Sequence, residues 1–270
     1  MIQATDGNLY GVASSGGTNL AGMVFKLTPS GAFSILYSFC AQTNCTDGSN
    51  PVGVIEGSDG SFYGTTASAG TQNPACFSNG CGTVFRLTRN GVLTTLHTFS
   101  GADGFLRTGL AQATNGAFYG VTTGTGNGTV FTLSTGLHPF VELLPGSGKA
   151  GSTVQILGRN LSDATAVSFN GTVAPFMVVS KNLISATVPS GATSGFVTVT
   201  TPGGTLKSNT RFVVRRQRGA VRTLRRPTRR TGTTVTHLSS GRLGSLGALF
   251  HRQSDSDAQG EDCRHAFPWH

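Results

Sequence analysis

The chain has 270 residues, with 20 Lys and Arg against 11 Asp and Glu, a formal net charge of +9, and 39 glycines. Only 11% of residues are charged, which excludes a coiled coil or helical bundle built on charged helix formers. A wholly disordered chain would be charge-rich and short of β-branched and aromatic residues, and no apolar run approaches the ~18 residues of a membrane-spanning helix.

In chain order, a first motif, Asp6-Gly7-Asn8-Leu9-Tyr10-Gly11, recurs as Asp59-Gly60-Ser61-Phe62-Tyr63-Gly64 and Asn115-Gly116-Ala117-Phe118-Tyr119-Gly120. A second follows each copy: Gly22-Met23-Val24-Phe25-Lys26-Leu27, Gly82-Thr83-Val84-Phe85-Arg86-Leu87 and Gly128-Thr129-Val130-Phe131-Thr132-Leu133. A third, Gly31 to Phe39 and Gly91 to Phe99, closes the first two units. These runs alternate apolar and polar residues between Gly, Asn, Asp and Ser, the pattern of short strands. The Asp-Gly and Asn-Gly pairs predict two-residue type I′ hairpins with positive φ at both central positions. Between the first two motifs the loops (12–21, 65–81 and 121–127) differ in length, as loops on a constant scaffold do.

Tyr10, Tyr63 and Tyr119 are 53 and 56 residues apart, the spacing of a propeller blade of three to four strands. The motifs resemble the GloVer tandem repeat of large exported bacterial proteins. That resemblance covers residues 2–137 and implies a propeller-like array with no catalytic residues carried over. Three units fall short of the roughly four to eight that close a propeller. The expectation is a reading frame that begins inside a longer exported protein, its signal peptide lost; the alternative is a three-unit chain that closes by self-association.

After Gly136 the rhythm changes. Alternation at Val154/Ile156, Val167/Phe169, Ile184/Ala186/Val188 and Val197/Val199, with turns at Asn170-Gly171, Pro189-Ser190-Gly191 and Pro202-Gly203-Gly204, predicts a β-sandwich over 139–214. Pro145-x-x-Gly148-x-x-Gly151-x-x-Val154-x-Ile156-x-Gly158, Val167-x-Phe169-Asn170-Gly171 and Val188-Pro189-x-Gly191 resemble the IPT/TIG immunoglobulin-like domain. That resemblance implies a spacer or interaction module at a cell surface.

Cys40-x4-Cys45 and Cys76-x4-Cys81 lie in Gly/Asn/Ser-rich loops with no nearby His. Equal spacing in loops predicts two short-range disulfides in an oxidising compartment; free thiols and a metal site are the alternatives. Asp6, Asp59 and Asn115 share one repeat position, which asks for a turn former rather than a Ca²⁺ ligand. Asp47-Gly48 and Asp103-Gly104 look like turn formers between units. Tyr10, Tyr63 and Tyr119, with Phe25, Phe85 and Phe131, are expected to pack between units, an aromatic sugar-binding rim being the alternative.

Residues 1–214 hold nine Lys and Arg against seven acids, a net of +2, while residues 215–270 hold eleven Arg and four acids, a net of +7. The basicity therefore sits in the tail, at Arg215-Arg216-Gln217-Arg218, Arg225-Arg226 and Arg229-Arg230. Loss of the β pattern with an all-Arg bias reads as out-of-frame translation; a disordered basic linker and a nucleic-acid arm are the alternatives. The body carries two histidines: His97 holds a pleat position aligned with Tyr37, and His138 lies in the linker. No nucleophile elbow, zinc-protease helix, phosphate loop or paired carboxylate is present.

The sequence thus predicts an all-β chain: an incomplete propeller-like array of three repeats (about 2–53, 54–109 and 110–137), an immunoglobulin-like sandwich at 139–214 and a disordered tail at 215–270. It predicts no catalytic, cofactor-binding or metal-ligating residue. The expected function is a non-catalytic extracellular or cell-surface scaffold that binds protein or polysaccharide through its variable loops. An accessory module of an exported carbohydrate-active protein is the second reading, and nucleic-acid binding through the tail the third.

Overall fold

The computed structural model describes residues 1–70, 76, 80–124 and 128–216, and contains no α-helix among them. No helix of the described residues is long and apolar enough to cross a membrane.

Residues 2–133 form three four-stranded antiparallel sheets. The first runs β1 (Ile2–Gln3), β2 (Leu9–Ala13), β3 (Met23–Leu27) and β4 (Phe33–Ser38), in spatial order β1-β2-β3-β4. The second repeats it as β5 (Ser49–Glu56), β6 (Phe62–Ser68), β7 (Thr83–Leu87) and β8 (Leu93–Thr98). In the third, the place of β5 is taken by two short strands, β9 (Phe105–Leu106) and β10 (Ala111–Gln112), both paired with β11 (Phe118–Thr123), which pairs in turn with β12 (Thr129–Leu133). Among the described residues the third sheet has no counterpart of β4 and β8. The sheets do not close on one another into a barrel, so the array is an incomplete propeller-like arrangement.

Residues 142–214 form a sandwich from β13 (Glu142–Leu144), β14 (Ser147–Gly148), β15 (Thr153–Leu157), β16 (Ala166–Phe169), β17 (Thr172–Val173), β18 (Phe176–Ser180), β19 (Leu183–Thr187), β20 (Val197–Thr201), β21 (Gly204–Lys207) and β22 (Val213–Val214). One sheet is ordered β13-β15-β19-β18 and the other β17-β16-β20-β21, with β14 and β22 paired in parallel at one side. Val154, Ile156, Val167, Phe169, Ile184, Ala186, Val188, Val197 and Val199 all enter one buried core, because alternate residues of each strand face the opposite sheet.

The hairpin expectation needs correction. Asn170-Gly171 does join β16 to β17 as a two-residue turn with positive φ at both residues. In the matching pairs of the three repeats the glycines Gly7, Gly60 and Gly116 have positive φ but Asp6, Asp59 and Asn115 do not. There Gly7 N–H donates to Ala4 O and Ala4 N–H to Asn8 O, closing a longer turn that the second and third sheets reproduce. The cause is the Asx side chain, which accepts the N–H two residues on and so favours negative φ at its own position. The Arg-rich segment 215–270 lies outside the described residues apart from Arg215 and Arg216.

Candidate functional site

The three repeat sheets have two unlike ends. Register places Leu9 opposite Leu27, Phe62 opposite Leu87 and Phe118 opposite Leu133, so the turn before each Tyr-Gly strand lies at the equivalent end of its sheet. At one end, tight turns at 4–8, 57–61 and 113–117 are built alike. Asp6, Asp59 and Asn115 accept the N–H of Asn8, Ser61 and Ala117 at 3.0, 3.1 and 3.0 Å. The remaining side-chain atom meets the repeat tyrosine. Tyr10 and Tyr63 donate to Asp6 and Asp59 at 2.8 and 3.2 Å, whereas Asn115 Nδ2 donates to Tyr119 Oη at 3.0 Å. A phenol can give or take a hydrogen bond, which is why Asp and Asn interchange here.

Burial pushes the carboxyl of Asp59 up, but hydrogen bonds from Ser61 and Arg86 and the Arg86 charge outweigh it, leaving it below the usual carboxylate range. Asp6 is likewise held low, burial being outweighed by Asn8, Tyr10 and Arg89. Neighbouring sheets are tied through these turns. Thr5 N–H and Oγ1 donate to Glu56 at 2.8 and 2.6 Å, and Arg89 joins Glu56 to Asp6. Ser58 N–H donates to Gln112 at 2.9 Å in the same way one unit later.

The aromatic residues of the repeat interleave between sheets. Tyr10 lies 4.2 Å from Phe62 and Tyr63 lies 4.1 Å from Phe118, centroid to centroid. Phe39 meets Phe85 edge-on at 5.1 Å, and Phe99 meets Phe131 at 5.3 Å. Tyr10, Tyr63 and Phe85 are buried, while Phe25 in the first sheet and Tyr119 and Phe131 in the third are half-buried. Gly11, Gly64 and Gly120 stand directly across from Phe25, Phe85 and Phe131. A Cβ on any of the three would run into the facing ring, so the Tyr-Gly and Val-Phe motifs are two halves of one contact.

The opposite end carries residues 14–22, 69–70, 76, 80–82, 124 and 128 of the connections between the second and third strands, and the connections 39–48 and 99–104. Disulfides join Cys40 to Cys45 and Cys76 to Cys81, both at this end. Asp47 is fully buried and accepts from Tyr37 Oη at 2.7 Å, Ala41 N–H at 3.0 Å and Gln42 N–H at 3.4 Å. Burial, with the Asp47 hydrogen bond and charge, raises the Tyr37 phenol far above its ordinary value. One unit on, His97 Nε2 lies 2.8 Å from Asp103, which also accepts Ser100 N–H at 2.8 Å. Gly48 and Gly104, both at positive φ, sit against Thr66 and Thr122, where a side chain would collide. The Asp-Gly pairs are therefore turns and also the joints between successive units. The exposed part of this end includes Leu20, 79% exposed and at positive φ.

A cleft of about 470 Å³ lies between the tight-turn end and the sandwich, with Glu56 and Asp59 on one wall and Phe196, Lys207 and Arg211 on the other. Both acids are already engaged by arginines, and Lys207 Nζ sits 3.8 Å above the Phe196 ring. Among the described residues no three His, Cys, Asp or Glu side chains gather as a metal site would require. Sequence reasoning missed the Tyr37–Asp47 and His97–Asp103 pairs; the signal was the alignment of His97 with Tyr37 and an Asp-Gly following each, though at different separations of 10 and 6 residues.

The family model of the Gloeobacter/Verrucomicrobia repeat matches residues 1–158, and that of the IPT/TIG domain matches residues 140–214. No curated protein matches the chain. Among solved structures, SGBP-B from a complex xyloglucan utilization locus in Bacteroides uniformis is 14% identical, with a TM-score of 0.24, over 48% of this chain and 35% of that one. A novel fungal alcohol oxidase of the AA5 family, in complex with copper, is 12% identical, with a TM-score of 0.34, over 76% of this chain and 50% of that one. The chain thus spans half or less of the length of either.

Proposed function

We propose, for a chain that belongs to the Gloeobacter/Verrucomicrobia repeat family and carries an IPT/TIG domain at residues 140–214, a non-catalytic role as an exported surface scaffold. It binds a protein or polysaccharide partner through the loop end of the array. The observation that carries this reading is the contrast between the two ends: turns closed by the same backbone hydrogen bonds at one, and loops of different length with both disulfides at the other. Binding residues concentrate on variable loops held by a rigid scaffold. The two disulfides favour an oxidising compartment outside the cytoplasm.

A non-catalytic role fits the employment of the carboxylates. Asp6, Asp47, Glu56, Asp59 and Asp103 are each committed to a turn or to a joint between units. Glycan arrays and surface-extract pull-downs with the full chain test the proposal, beside a variant in which residues 15–20 are replaced by a short Gly-Asn linker. Loss of the captured partner in the loop variant, with the fold intact by circular dichroism, is the expected result. Partner binding that survives shortening of every loop at that end refutes the reading. Binding to glycans alone would make the chain a carbohydrate-recognition module; binding to a protein alone would make it a surface adaptor.

A further inference from the structure

Among the described residues the third sheet lacks the strand that β4 supplies to β3 and β8 supplies to β7. Among the described residues, the outer edge of β12 has no strand beside it. Its five residues, Thr-Val-Phe-Thr-Leu, carry no charge, no proline and no bulge. Natural edge strands are usually blunted by one of these devices, because a row of free N–H and C=O groups is a template for another chain.

Beside this edge runs a groove of about 330 Å³, walled by Val84, His97 and Phe99 of the second sheet and by Phe131 and Leu133 of the third. At the matching place one unit earlier there is a strand: Leu93 of β8 packs onto the cluster of Val24, Phe39, Phe85 and Leu87. The groove is continuous with the interface between the second and third sheets. The inner part of that interface is closed by Tyr63 on Phe118 and Phe99 on Phe131. Its outer part is open where the third sheet lacks a fourth strand.

We propose that β12 and this groove receive an extended segment of another polypeptide. The segment adds antiparallel to β12 as β8 adds to β7, with apolar residues at the spacing of Leu93 and Leu96. The chemistry selects a peptide over a glycan. A strand's alternating N–H and C=O groups, repeating at about 3.3 Å per residue, match the free edge, and uncharged apolar side chains match the groove. The ionisable pair in the groove, His97 beside Asp103, aligns with Tyr37 beside Asp47 in the unit before and is already paired. The site is independent of the loop-end reading and of whatever binds there.

The chain supplies its own probe. A synthetic peptide with the sequence of residues 91–99 is titrated into the full-length protein, with amide hydrogen exchange read across residues 128–133. Saturable binding is expected, with protection concentrated on 129–133. It should be abolished when alternate amides of the peptide are N-methylated along one edge, and weakened at least tenfold when the residue standing for Leu93 is Asp. Equal binding by the N-methylated peptide, or no change in exchange at 129–133, overturns the proposal. So does protection of those amides that grows with protein concentration in the absence of peptide, because the edge would then pair with a second copy of itself.

Discussion

Gly120 is the sharpest test of how the repeat is built, because two opposing effects predict opposite signs. Its φ is not positive, so an L-residue meets no backbone strain there. Glycine within a strand is worth roughly 0.5–1 kcal/mol less than alanine, so on backbone grounds alone Gly120→Ala should stabilise. The contact argument says the reverse. A Cβ at this position stands 2.6 Å from Cε1 of Phe131, closer still to its Cζ, and 3.2 Å from Leu110 Cδ2. Overpacking of that kind costs about 1–3 kcal/mol, which outweighs the propensity gain. Gly120→Ala is therefore expected to lower the array's stability, with a fall in Tm of several degrees at about 2–4 °C per kcal/mol. All four tyrosines lie within the repeats, at 10, 37, 63 and 119, so tyrosine near-ultraviolet circular dichroism during urea or thermal unfolding reports on the array rather than on the sandwich. Phe131→Leu shortens the opposing ring, and the double variant should recover about 1 kcal/mol relative to the sum of the single changes. Strict additivity, or a stabilising Gly120→Ala, would refute the pairing of the two motifs.

Cys76→Ser with Cys81→Ser should destabilise the array by about 2 kcal/mol, the chain-entropy value for so short a loop, and mass spectrometry of the alkylated native protein should find Cys40, Cys45, Cys76 and Cys81 unlabelled until reductant is added. Asp6, Asp59 and Asp103 all have carboxyls held below their ordinary range in the folded state. Their contribution is therefore fully present above the unfolded-state value of about 4 and is lost as the pH falls through the lower folded values. Unfolding curves should show the array weakening below about pH 4, and a Tm that stays flat there would count against these turns. Glu56→Ala removes the acceptor for both Thr5 and Arg89 and should cost about 1–2 kcal/mol, whereas Glu56→Gln should retain part of this, since Gln112 does the same work for Ser58.

The features legible in the sequence were those repeated locally. Three copies of Tyr-Gly and Val-Phe mark the strands. The alternation from Val154 to Val199 marks the sandwich, since each strand announces its own buried face. The two Cys-x4-Cys pairs could be read because both partners fall within one loop. Features that join distant residues were harder to read. Thr5 meets Glu56 across 51 positions, and nothing in either residue alone announces the other. The turn geometry was misjudged for a related reason. Asp-Gly and Asn-Gly carry the same signal at 6–7 and at 170–171, yet only the second is flanked by strands that meet after two residues.

Val24, Val84 and Val130 show why a unit of repeated sequence is not a unit of stability. All three hold the same register, opposite Val12, Thr65 and Val121 on the neighbouring strand. The first two are completely buried, whereas Val130 is 75% exposed. The residue is the same; what differs is its cover, because Val24 and Val84 are each flanked by a fourth strand, at Tyr37 and His97, and packed into a cluster shared with the following unit, and among the described residues Val130 has neither. The stacked aromatics follow the same rule, with Tyr10 and Tyr63 covered by Phe62 and Phe118 while Tyr119 is only half-buried. Each motif therefore encodes one side of a joint, and its energy is realised only where the other side is present. Substitutions at equivalent positions should accordingly be unequal, severe at Val84 and near neutral at Val130, although the local sequence around the two is almost the same.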